Sequence, residues 1–224
     1  MLKAIIFDMD GVLVNSEPLH YEVDRQLLEE LGYQLDYDYY KQFIGSTNTY
    51  LWSCIRSHFG LEPSVETLKV MADEKKRQLV DENGFPPIHG VEPMIRRLFE
   101  AGYALAVASS SPVSYIEEVT SYFQIRQYFQ VLVSADALGK PKPAPDIYLK
   151  AADMLHVKPA ECLAVEDSFN GIGSAKAAGM TCIGFCNPDS GNQDMSRADY
   201  LITGYDCMDA SFVEMVYAHT TGQP

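Results

Sequence analysis

Ala4-Ile5-Ile6-Phe7-Asp8-Met9-Asp10-Gly11 is the stretch on which the fold turns. An apolar run without alternation ends abruptly in two acids and a glycine. A strand with one wet face alternates polar and apolar residues, whereas a strand covered on both faces does not, and strands of the second kind belong to parallel sheets. The run is too short to be the apolar region of a signal peptide, so a cytoplasmic protein is expected.

The same pattern recurs at Tyr103 to Ala108, Phe129 to Ser134, Cys162 to Val165, Thr181 to Phe185 and Tyr200 to Ile202. Helical spacing of apolar residues fills the intervals over Glu92 to Ala101, Pro112 to Phe123, Ala144 to Leu155 and Asn170 to Ala178. Gly102 and Gly179 stand where helices commonly close on glycine. Strand alternating with helix predicts an α/β fold built on a doubly wound parallel sheet. Residues 16–83 break the alternation: Tyr21 to Leu31, Asp38 to Phe43, Thr49 to Phe59 and Val65 to Val80 all carry helical spacing. We read an inserted helical bundle at 16–83 within an α/β domain formed by 1–15 and 84–224. A single mixed domain with extra helices is the alternative.

The chain of 224 residues is 47% hydrophobic and 21% charged, ordinary for a globular protein. Its net charge of −14 and lack of a basic stripe exclude nucleic acid as an expected partner, and no run is long enough to span a membrane. The same negative field repels anions, so phosphate chemistry here needs a local cation. The five cysteines are dispersed without a Cys-x-x-Cys pair, which predicts reduced thiols rather than a disulfide framework or a structural zinc site.

In open α/β sheets, ligands bind beyond the carboxyl ends of the strands. Four such ends are polar here: Asp8-Met9-Asp10-Gly11, Ser109-Ser110-Ser111, the Lys140-Pro141-Lys142-Pro143 segment, and Glu166-Asp167-Ser168. Together they offer what phosphoryl transfer needs. Asp8 is placed to attack phosphorus, and Asp10 to exchange a proton with the leaving alkoxide and then with water. Glu166 and Asp167 add the oxygen-rich acidity that suits Mg²⁺, although Asp167 or Ser168 also reads as a simple helix cap. Ser109 offers a hydroxyl to phosphate, with Ser110 counted among the substrate-binding side chains. Lys142 or Lys140 would offset the charge that builds in the transition state. Gly171-Ile172-Gly173 lacks the third glycine of a dinucleotide fingerprint and is set aside.

Read in order, Phe7-Asp8-Met9-Asp10-Gly11-Val12-Leu13, Ser109, Lys142-Pro143-Ala144-Pro145-Asp146-Ile147-Tyr148 and Glu166-Asp167-Ser168 resemble the haloacid dehalogenase superfamily. Ser16-Glu17-Pro18-Leu19 and the helical insert resemble its β-phosphoglucomutase-like branch, which includes sugar-phosphate phosphatases. The resemblance implies Asp8 as nucleophile, Asp10 as acid and base, and Ser109 and Lys142 on the phosphate. It also implies Mg²⁺ held by Asp8, the Asp10 carbonyl and Asp167, with Glu166 assisting, and a helical cap at 16–83. A small phosphorylated metabolite, with a sugar phosphate first among the candidates, is the expected substrate. Glu17, His20, Gly45, Asn48, Trp52 and Lys76 are the candidate selectors on the cap.

Asp10 separates this chain from dehalogenases and phosphonatases of the superfamily, which lack an acid there. A hexose phosphate mutase is the rival enzyme reading. Gly45-Ser46-Thr47-Asn48 lacks the arginine that the mutase carries in this loop, and Asn15 replaces the aspartate common before Ser-Glu-Pro. A phospho-accepting receiver or phosphate-sensing module is the rival outside enzymes. A monomer is expected, with an oligomer left open.

Overall fold

Strand β1 (Ala4–Phe7) is fully buried along its length, and it lies at the centre of a six-stranded parallel sheet. A computed structural model describes residues 1–44, 46–135, 138 and 140–222. The other strands are β2 (Ala104–Ser109), β3 (Val131–Ser134), β4 (Cys162–Glu166), β5 (Thr181–Phe185) and β6 (Tyr200–Ile202), in the order β3-β2-β1-β4-β5-β6. The chain leaves β1 toward β2 and β3, then returns to the other side of β1 with β4. This reversal opens a crevice at the carboxyl ends of the central strands.

Register fixes what meets there. Phe7 pairs with Val107 on one side and Val165 on the other, so the chain beyond each strand emerges level with its neighbours. The Asp8 amide continues the ladder by donating to Val165 O at 3.0 Å. Helices α7 (Asp146–Met154) and α8 (Phe169–Ala177) cover one face, burying Ile147, Tyr148, Ala151, Ile172 and Ala175 against Ile6, Ala106 and Ala164. Small residues on the strands admit the helices closely, and burial on both faces is why these runs read as continuously apolar.

Two units divide the chain. The first comprises Met1–Val14, Pro87–Pro188 and Asn192–Pro224, and the second Asn15–Pro86 and Asp189–Gly191. Asn15 and residues 84–86 and 189–191, assigned to the α/β part on sequence, cluster with the second unit. That unit contains α1 (Ser16–Glu30), α2 (Tyr37–Tyr40), α3 (Asn48–Phe59) and α4 (Val65–Asn83) around Leu27, Leu28, Tyr40, Leu51, Ile55 and Leu68. Asp36, Thr47 and Ser64 cap the last three helices by accepting from the amides of Tyr39, Tyr50 and Thr67.

Two differences from the sequence reading have physical reasons. Helix α1 starts at Ser16, five residues before the predicted Tyr21, because Pro18 lies in the first turn, where its missing N–H costs no helical bond. Helices α5 (Val91–Glu100) and α6 (Val113–Tyr122) match predicted segments, but α9 (Ala210–Thr221) was not predicted. Its Val213, Val216, Thr220 and Thr221 are weak helix formers; burial of Val213, Val216 and Tyr217 and the Asp209 cap hold it. All five cysteines are free thiols, and among the described residues no helix is long and apolar enough to cross a membrane.

Candidate active site

The loop after β1 is bound tightly to its own unit. Gly11 adopts φ 75°, a left-handed conformation that glycine accepts without a side-chain clash, and the turn lets Gly11 N–H donate to Val14 O at 2.8 Å. Asn187 Nδ2 donates to Gly11 O at 2.9 Å and Tyr205 Oη to Val12 O at 2.8 Å. Neither contact was legible in sequence, because both bring side chains from far along the chain to backbone carbonyls. Together they hold the segment that carries Asp8 and Asp10.

Lys142 settles the choice between the two loop lysines. Its Nζ donates to Asp8 Oδ1 at 2.7 Å, Glu166 Oε1 at 2.6 Å and Ala108 O at 3.2 Å, which uses all three ammonium protons. Lys140 is exposed. Burial would push the Lys142 ammonium down, but the flanking Asp8 and Glu166 carboxylates overcome it and hold the group above its ordinary value. It is a fixed positive charge at neutral pH.

Glu166 is fully buried and heavily committed. Oε1 accepts from Lys142 and from the Tyr148 hydroxyl at 2.7 Å, while Oε2 accepts from Ser168 Oγ at 3.3 Å. Tyr148 stood in the recognised motif without an assigned role; the fold makes it the second donor to Glu166. Gly171, in the first turn of α8, leaves space that the Glu166 carboxylate fills. Ser168 also caps α8 by accepting from Gly171 N–H at 3.0 Å, so the helix-cap reading of this segment holds for Ser168.

One ligand oxygen from each of Asp8, Glu166 and Asp167 lies within 4.8 Å of the others, and all three residues are buried. The Asp8 carboxyl is raised well above its ordinary value, first by burial, with Lys142 opposing and Glu166, Asp167 and Asp10 adding to the rise. Three buried carboxylates around one ammonium leave uncompensated negative charge. An all-oxygen donor set with that excess suits a hard divalent cation.

Asp10 faces the serine turn after β2. Its Oδ2 accepts from Ser111 Oγ at 3.1 Å and stands 3.5 Å from Ser109 Oγ, which in turn accepts from Ser111 N–H at 3.0 Å. Ser109 is fully buried and Ser110 is exposed. Ser111 was grouped with this turn on sequence but given no task. Asp8, Asp10, Ser109, Lys142, Glu166 and Asp167 thus meet at one sheet edge.

The candidate selectors in the helical unit fare differently. Glu17 accepts from Tyr40 Oη at 3.0 Å and lines a cavity of about 310 Å³ with Pro18, Tyr21, Tyr37, Tyr40 and Asp189. His20 and Lys76 are half-buried and Asn48 is exposed at the start of α3. Trp52 must be corrected: at 2% exposure it belongs to the hydrophobic core of this unit. An aromatic residue on an amphipathic helix reads the same from sequence whether it turns inward or outward. Gly45 lies outside the described residues.

Known proteins resemble this chain over most of its length. The profile of the haloacid dehalogenase-like hydrolases matches residues 5–185. A putative phosphatase, YhcW, from Bacillus subtilis (strain 168) is 33% identical over 184 residues, covering 82% of this chain and 83% of its own. Hexitol phosphatase B from Escherichia coli (strain K12) is 33% identical over 195 residues, covering 85% and 86%. A solved structure of a putative β-phosphoglucomutase from Thermotoga maritima superposes with a TM-score of 0.82 at 27% identity, covering 96% of this chain and 100% of that one.

Proposed function

Since this chain belongs to the haloacid dehalogenase-like hydrolase family and is a phosphatase, we propose that it hydrolyses a small phosphorylated sugar or polyol through an aspartyl-phosphate on Asp8, with Mg²⁺ as cofactor. The observation that carries this reading is Lys142, clamped between Asp8 and Glu166 at the carboxyl ends of β1 and β4. A phosphate arriving there meets a buried nucleophile already paired with a fixed cation. The relative named for hexitol phosphates motivates the polyol end of the substrate range.

Each residue has a separable task. Asp8 supplies the carboxylate oxygen that bonds to phosphorus as the ester oxygen departs, and Asp10 gives that oxygen its proton. In the second half, Asp10 takes a proton from the water that attacks phosphorus, and the phosphorus–Asp8 bond breaks to release inorganic phosphate. Lys142 offsets negative charge on Asp8 and the phosphoryl oxygens throughout, and Glu166, held by Tyr148 and Ser168, fixes Lys142. Ser109 turns its hydroxyl to a phosphoryl oxygen. Asp8 and Asp167, with the Asp10 carbonyl, would hold Mg²⁺, whose charge neutralises the phosphate. Glu166 has three of its acceptor positions already in use and acts from behind.

Selection among phosphate esters is assigned to the helical unit, with Glu17 as the first candidate because its carboxylate lines a cavity with three tyrosines. The mutase reading draws support from the Thermotoga maritima structure's name, but Gly45 to Asn48 provide no arginine to grip a second phosphate. Membership of a hydrolase family leaves the receiver reading without support. The deciding assay measures phosphate release from sugar and polyol phosphates with and without Mg²⁺, alongside Asp8→Asn. Metal-dependent release abolished in that variant is the expected result. Undiminished turnover by Asp8→Asn would overturn the mechanism, and isomerisation of β-glucose 1-phosphate outrunning phosphate release would install the mutase instead.

A further inference from the structure

Asp10 has two oxygens in different circumstances. Oδ2 accepts from Ser111 Oγ at 3.1 Å, and Ser109 Oγ stands at 3.5 Å from the same atom. Oδ1 is buried and has no hydrogen-bond partner among the described residues. A serine hydroxyl has one proton to donate. When Ser109 gives its proton to a phosphoryl oxygen it gives none to Asp10, so Ser111 alone then holds the carboxyl group from this turn. The Ser111 N–H donation to Ser109 Oγ ties the two serines together and holds that oxygen in place, while the hydroxyl proton of Ser109 can still swing from Asp10 to a phosphoryl oxygen.

Resting on the assignment of Asp10 as general acid, we propose that Ser111 is the positioning residue for that acid. Its hydroxyl pins Oδ2 and directs Oδ1, the unpartnered oxygen, at the ester oxygen that leaves. In the transfer to Asp8 the proton on Oδ1 passes to the leaving alkoxide as the phosphorus–oxygen bond breaks, and Asp10 is left as a carboxylate. Ser111 neither gains nor loses a proton in this step. It contributes orientation, which determines how much of a general acid's rate advantage is realised.

The experiment exploits leaving groups. An alkyl phosphate such as sorbitol 6-phosphate needs protonation of its departing oxygen, whereas p-nitrophenyl phosphate departs as a stable anion. The quantity read is the ratio of kcat/KM for the two esters, because kcat/KM reports steps through transfer to Asp8. Ser111→Ala is expected to lower this alkyl-to-aryl ratio by about tenfold or more, a part of the 10²–10⁴ that general acids supply, with KM for the alkyl ester little changed. Ser111→Thr, which keeps the hydroxyl, should restore the ratio. In an Asp10→Asn background Ser111→Ala should shift the ratio no further.

A loss shared equally by both esters, or a rise in KM alone, would place Ser111 on the phosphate or in the fold and overturn the proposal. An unchanged ratio would do the same. If Asp10→Asn itself leaves the ratio unchanged, the assignment of Asp10 fails and the Ser111 role falls with it. If Asp10→Asn collapses the ratio and Ser111→Ala does not, only the Ser111 role fails.

Discussion

Replacing Gly171 by alanine sets a favourable local effect against an unfavourable distant one, and the structure says which wins. A Cβ built at this position would lie 1.9 Å from Glu166 Oε2, 2.0 Å from its Cδ and 2.1 Å from Oε1. Non-bonded heavy atoms settle at about 3.5 Å or beyond, so the carboxylate would have to retreat by about 1.5 Å. Carboxylates at the end of flexible side chains often do so cheaply. Glu166 does not have that freedom, because it is fully buried and bonded to Lys142, Tyr148 and Ser168.

Alanine in place of glycine within a helix gains about 1 kcal/mol. Against this stand overpacking at about 1–3 kcal/mol and separation of a buried ion pair at about 3–5 kcal/mol, two costs that overlap because one movement causes both. We expect a net loss of about 3 kcal/mol, which for a chain of this size lowers Tm by about 6–12 °C. Phosphatase activity should fall by about 10²–10³ as Lys142 loses its anchor. Thermal unfolding of wild type, Gly171→Ala, Glu166→Ala and the double variant closes the cycle. With the carboxylate gone, the Gly171→Ala change should become neutral or stabilising. A Gly171→Ala protein that melts above wild type with Glu166 intact would refute the steric reasoning.

Three further outcomes are expected. Tyr148→Phe removes a hydrogen bond to a charged, buried acceptor and should cost about 1.5–3 kcal/mol of stability in thermal melts, with far less effect on kcat than Lys142→Met. Trp52→Ala should destabilise the helical unit by about 3–5 kcal/mol while Trp52→Phe keeps the ranking of substrates by kcat/KM, since Trp52 packs in the core. Burial, reinforced by Glu17, pushes Asp24 up from its ordinary 3.8 to about 8. The stability Asp24 lends is therefore complete below about pH 4 and is lost as pH climbs through 8, at up to about 1.4 kcal/mol per pH unit. Asp24→Asn should melt progressively higher relative to wild type as the buffer moves from pH 5 to pH 8.

What could be read in the sequence follows from what a linear pattern encodes. Asp8, Asp10, Ser109, Lys142, Glu166 and Asp167 could be singled out because each ends or follows a buried strand or lies in the loop beyond one, and parallel register brings such ends together. Which lysine points inward was not encoded, since Lys140 and Lys142 share the same proline-rich setting; the path of the loop decided it. Ser111, Tyr148, Asn187 and Tyr205 escaped assignment for a related reason. Their contacts depend on rotamers and on residues up to 193 positions away, and no spacing rule reports those. Trp52 stood between selector and core because helical periodicity shows that a residue is amphipathically placed without showing which neighbour covers it.

Electrostatics ties the site to the rest of the chain. A protein of net charge −14 that is to hold an anionic ester must reverse the sign of its field locally, yet the strand ends gather four acids, Asp8, Asp10, Glu166 and Asp167. Lys142 cannot reverse it alone: one ammonium faces three buried carboxylates, and burial and the neighbouring acids hold Asp8 toward its protonated form despite that lysine. A divalent cation held by these oxygens would favour the carboxylate form of Asp8 and offset the charge of an arriving phosphate. The acidity that would repel substrate from an all-protein site would thus recruit the cation that admits it, and the surplus of carboxylates over Lys142 is the charge such a cation would balance.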